Sequence, residues 1–69
     1  MNNVVIEERS VDMMTLSVND KGNKVVVTYS AGKVSDIDIR GLLSMNKLKQ
    51  ALYHINKVYS KEIMEEVEV

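Results

Sequence analysis

From Val11 to Val18 apolar and polar positions alternate. Met14, Leu16 and Val18 share one side, and Met13, Thr15 and Ser17 share the other. A period of two is the signature of a half-buried strand. Residues 24–30 (Lys-Val-Val-Val-Thr-Tyr-Ser) read as a second strand, and in 34–39 Ser35, Ile37 and Ile39 alternate against Asp36 and Asp38. A shorter β-branched run at 4–8, Val-Val-Ile-Glu-Glu, ends in charge as an edge strand does. Turn residues punctuate these runs: Asn19-Asp20-Lys21-Gly22-Asn23, then Ala31-Gly32-Lys33. After Arg40-Gly41 the period changes. Leu42, Met45, Leu48, Leu52, Ile55, Tyr59 and Ile63 recur every three or four residues, the stripe of an amphipathic helix. Ser44 stands where an N-cap hydroxyl is needed, so the helix is placed at 44–62. Beyond it, 62–69 forms an acidic tail with four Glu residues near the negative end of the helix dipole, and it is expected to fray or pack elsewhere. The fold class is α+β: one domain over 1–69, an antiparallel β-meander of three to four strands with a C-terminal helix on one face.

The hairpin register follows from the same pattern. Setting Val18 opposite Val25 and Leu16 opposite Val27 leaves Lys21-Gly22 as a two-residue loop of the primed type. A one-residue slip would turn Lys24, Val26 and Thr28 toward the core. A single helix covers one sheet face, yet Val25-Val26-Val27 is apolar on both sides of its strand. Met13, Val26 and Val5 are therefore expected to form a patch on the uncovered face, a surface for self-association or for a foreign partner.

Composition narrows the class. Sixty-nine residues with no Cys and no Pro, nine basic side chains against ten acidic ones and a net charge of −1 exclude a disulfide scaffold and a Cys-based zinc site. The longest apolar runs are three residues, Val4 to Ile6 and Val25 to Val27, so no segment reads as a membrane span. The first residues lack the basic region and apolar stretch of a signal peptide, which makes a cytoplasmic location the expectation. Three tyrosines are the only aromatics, so the core rests on Val, Ile, Leu and Met. Domains this small bury only about 60% of their unfolded surface, and a second copy is the simplest further support.

The residues carry little sign of catalysis. His54 is the only histidine; its neighbours at helical spacing, Gln50, Ala51, Lys57 and Val58, offer neither a metal ligand nor an orienting acid. Six serines lie outside any nucleophile-elbow context, and Gly22, Gly32 and Gly41 form no phosphate loop. Asp36 and Asp38 share a side but have no third acid beside them. No enzyme, cofactor or metal is expected. One row stands out: Lys47, Gln50, His54, Lys57 and Lys61 repeat at helical spacing opposite the apolar stripe, with Lys49 and Tyr53 at its border. Such a row suits an ordinary solvated face, an acidic protein partner, or a phosphate backbone with Tyr53 stacking on a base. The balanced charge weighs against a dedicated nucleic-acid binder.

Strands followed by one helix is an order found in several unrelated small folds, single-strand binding domains of the transcriptional-coactivator kind and small viral enzyme inhibitors among them. Element order does not fix function. The expected role is a non-enzymatic interaction module, a homodimeric bacterial or phage accessory protein that binds and modulates a larger protein. The alternative is a module for single-stranded DNA or RNA using the helix row or the open sheet face.

Overall fold

The computed structural model describes residues 3–67, with side chains through Met64. Four antiparallel strands form one open sheet, and a single helix follows: β1 (Val4–Arg9), β2 (Met13–Asp20), β3 (Asn23–Ser30), β4 (Lys33–Arg40) and α1 (Met45–Val67). The strands lie in chain order, as a meander requires.

Turn chemistry holds the register. Val18 pairs with Val25, Leu16 with Val27 and Met14 with Tyr29, the pairing expected from the alternation. Lys21 and Gly22 take φ of 52° and 85°, and Ala31 and Gly32 take 53° and 82°. Two successive left-handed residues make type I′ turns, whose twist matches that of the flanking strands. Gly occupies the second position each time at no steric cost. Lys21 and Ala31 accept a conformation that disfavours a side chain by about 1–2 kcal/mol.

Two bulges alter the expected alternation. At β3–β4, Thr28 pairs with Asp36 but Tyr29 pairs with Val34. Ser35 is the extra residue, so Val34 rather than Ser35 shares a side with Ile37 and Ile39. At β1–β2, Ile6 pairs with Leu16 and Glu8 with Thr15, leaving Glu7 as the extra residue. The second strand also starts later than expected. Ser10 to Asp12 form a turn, in which the Ser10 amide donates to the Met13 carbonyl and the Ala31 amide to the Asp12 carbonyl.

The core joins one sheet face to one helix stripe: Met14, Leu16, Val18, Val25, Val27 and Tyr29 against Ala51, Ile55 and Tyr59. Each fully buried aliphatic side chain contributes about 1.5–3 kcal/mol. Tyr59 lies flat on Tyr29, ring centroids 3.6 Å apart and planes 7° from parallel. The Tyr29 hydroxyl donates to Asn56 Oδ1 at 3.3 Å. Burial, then the neighbouring Tyr59, raises the Tyr29 pKa above its ordinary 10.0, so the phenol keeps its proton and its donor role.

The helix starts where expected and ends later. Ser44 is indeed the cap, its Oγ accepting from the Lys47 amide at 3.2 Å. The inward stripe holds from Leu48 to Ile63, with Ile55 and Tyr59 buried and Leu48, Leu52 and Ile63 packed against the core, and Ala51 joins it. At its start, however, Met45 is 66% and Leu42 92% exposed. Helical structure also continues past residue 62 to Val67. Glu62 is held there by an ion pair from Arg9 at 3.0 Å, which ties the C-terminal half of α1 to β1. Of the expected acidic tail, Glu68 and Val69 lie outside the described residues.

Gly41 makes the bend between sheet and helix. Its φ is 97°, and a Cβ there would collide with Asn23 Oδ1. That same oxygen accepts the Leu42 amide at 3.2 Å. The connection is thereby pinned to the start of β3, and α1 is aimed back over β3, β2 and β1.

Candidate interaction surface

Three surfaces bear on function: the polar side of α1, the sheet face opposite α1, and the margin where β4 meets the start of α1.

On α1, Lys47, Gln50, His54, Lys57 and Lys61 span about 21 Å at 1.5 Å per residue. Gln50, Lys57 and Lys61 are exposed and His54 is half-buried. Lys47 is engaged within the fold, its Nζ 3.0 Å from Asp20 Oδ2 at the end of β2. That hydrogen bond, with the lysine charge, holds the Asp20 carboxyl below its ordinary 3.8. Tyr53 is 63% exposed, its ring edge-on to His54 with centroids 5.5 Å apart.

The face opposite the helix is mainly polar. The bulge brings Glu7 over Ser17, whose hydroxyl donates to Glu7 Oε1 at 2.9 Å. Lys24 Nζ stands 3.4 Å from the same oxygen. The Ser17 hydrogen bond, then Lys24, holds the Glu7 carboxyl below its ordinary 4.5. Thr15 and Thr28 join hydroxyl to hydroxyl at 3.2 Å, and Asp36, Asp38 and Arg40 line the β4 side. Val5, Val26 and Met13 all lie on this face, but they do not form one patch. Val5 and Val26 flank Ser17 in a single cross-strand row. Met13 sits four residues further along β2, about 14 Å away, with Thr15 between. Buried Ser17 occupies the middle of the face where continuous apolar contact was expected.

A larger apolar strip lies on the helix side. Val34, Ile37 and Ile39 belong to the same face as the core, in line with Tyr29, Val27 and Val25. They are nonetheless 54%, 45% and 44% exposed. Leu42 and Met45, which follow in the connection and at the start of α1, are 92% and 66% exposed. The cause is geometric. Four strands at about 4.8 Å spacing put the outer two roughly 14 Å apart, while a helix is about 10 Å wide. One helix cannot roof both edges. Among the described residues α1 lies mainly over β2 and β3, reaches β1, where Arg9 pairs with Glu62, and does not pack on β4. The alternation marks Ile37 and Ile39 as core-facing and the helical spacing marks Leu42 and Met45 likewise. Only the width argument reveals that they stay uncovered.

A shallow cleft of about 260 Å³ opens at the far end of the sheet, between the Ser10–Asp12 turn, the Ala31-Gly32 turn and Tyr59 and Ile63 of α1. Asp12 is its one carboxylate. Among the described residues no group of three or more His, Asp or Glu is placed to hold a metal ion, and no helix is long and apolar enough to cross a membrane. No family model, curated protein or solved structure matches this chain.

Proposed function

We propose that the chain is a non-enzymatic interaction module, a cytoplasmic accessory protein of bacterial or phage type that works as a homodimer and binds a larger protein. The observation that carries this reading is the uncovered strip at Val34, Ile37 and Ile39. Three apolar side chains in one row of β4, followed in the chain by exposed Leu42 and Met45, cost free energy in water that contact with another polypeptide would recover. Ile37 and Ile39 lie on regular strand between the Ser35 bulge and the Gly41 bend, which holds the two side chains on one face.

A second reading, single-stranded nucleic-acid binding, draws on exposed Tyr53 beside Lys49 and Lys57. It is weakened by the engagement of Lys47 with Asp20. A photo-crosslinking residue in place of Ile37, and separately in place of Lys57, distinguishes the two in the native host. The proposal expects polypeptide adducts from position 37. Nucleic-acid adducts from position 57, with no polypeptide captured at 37, would replace it with the second reading.

A further inference from the structure

Resting on the reading above, we infer that the strip is covered by a second copy of this chain, joined edge to edge through β4 so that two four-stranded sheets become one of eight.

The two sheet edges differ in what they offer an incoming strand. On β1 the bulge at Glu7 breaks the ladder, Glu8 and Arg9 add charge, and Val4 and Ile6 are already packed under α1. Such features discourage pairing. On β4 the segment 36–40 is regular past the Ser35 bulge, and its outer backbone groups face no strand. Its apolar residues are the ones that α1 leaves bare.

The occupant follows from the sequence of that segment, Asp36-Ile37-Asp38-Ile39-Arg40, which complements itself when antiparallel. Centred on Asp38, the pairing sets Ile37 opposite Ile39 twice and Arg40 opposite Asp36 twice. The isoleucines meet on the helix side, between the two copies of α1, and the charges meet on the open face. The one like-charged pair, Asp38 with Asp38 of the second copy, falls on the axis, where each carboxylate already accepts from its own Arg40 Nε at 2.9 Å. Centred instead on Ile37, the pairing would oppose Asp36 and Asp38 twice. Centred on Ile39, it would set Asp38 opposite Arg40 twice but leave Ile37 opposite Gly41. Charge therefore excludes the register centred on Ile37, and apolar matching favours the Asp38 register over the one centred on Ile39, because only it gives both isoleucines an isoleucine partner.

The test is the solution mass across a dilution series, with circular dichroism to confirm the native fold of each variant. The wild type is expected at twice 7.8 kDa, and Val5→Asp, on the opposite face at the far edge of the sheet, should leave that mass unchanged. Arg40→Asp and Asp36→Arg should each weaken the dimer by about tenfold or more, since each sets like charges opposite one another at two symmetric places. The double variant D36R/R40D should restore the dimer to within a few-fold of wild type. A wild type of single-chain mass throughout overturns the inference. If position 37 still captures a different protein, the interaction reading survives it. Native-like Arg40→Asp with undiminished dimer, or a folded double variant that stays monomeric, overturns it as well.

Discussion

Ala51 is buried to 2% exposure at the centre of the helix–sheet contact, where a small side chain lets α1 approach β2 and β3 closely. Ala51→Leu adds three carbons to a site already filled by Ile55, Tyr59 and the valines beneath. Overpacking of this kind costs about 1–3 kcal/mol. At roughly 0.05–0.15 kcal/mol per residue the whole 69-residue chain has about 3–10 kcal/mol to lose. For a domain of this size each kcal/mol shifts Tm by about 4–8 °C, so the variant should melt roughly 5–20 °C below wild type. Thermal unfolding followed by circular dichroism reads this directly, with all samples at one protein concentration because a dimer melts in a concentration-dependent way. Ser60→Leu, the same direction of change on an exposed position of the same helix, should stay within about 0.5 kcal/mol of wild type. An Ala51→Leu variant that melts at or above the wild type would refute the placement of this helix face against the sheet.

Two further expectations concern the joints of the fold. Gly41→Ala would place a methyl group against Asn23 Oδ1 at a left-handed φ. Strain of about 1–3 kcal/mol should lower the urea midpoint with no change in the slope of the transition; an unchanged midpoint would show that the bend is not pinned. Glu7 ionises more readily in the folded chain than its ordinary 4.5, so it stabilises the fold above that pH and loses its effect as pH falls through and below it. Glu7→Gln should therefore be less stable than wild type at about pH 7, and the gap should close by about pH 3. A gap independent of pH would remove the electrostatic account of the Glu7–Ser17–Lys24 cluster.

How much was legible in the residues depended on what the residues alone decide. The Val18–Val25 register could be read because loop length and apolar rows demand the same pairing. The Ser44 cap could be read because a hydroxyl before a helical stripe has few other uses. The bulge at Ser35 could not, since an inserted residue leaves the alternation of Ile37 and Ile39 intact and only moves Val34 across the sheet. The place of Ala51 was hidden for a different reason: apolar spacing overlooks so small a side chain, yet close helix–sheet packing favours one. Met13, Val26 and Val5 were correctly assigned to one face, yet strand periodicity says nothing of distance along it. The strip at Val34, Ile37 and Ile39 emerges only when the width of one helix is set against that of four strands.

In the meander every pair of neighbouring strands is also adjacent in sequence, joined by loops of two or three residues. Contacts this local form fast, and during synthesis the whole sheet precedes its roof. At about 5–20 residues per second, α1 follows β4 by roughly one to five seconds. Throughout that interval Leu16, Val18, Val25 and Val27, among the most buried side chains of the folded molecule, lack the helix that covers them. The period of greatest vulnerability for this protein is thus set by the order in which its elements leave the ribosome, and it ends when the last third of the chain closes over the first two.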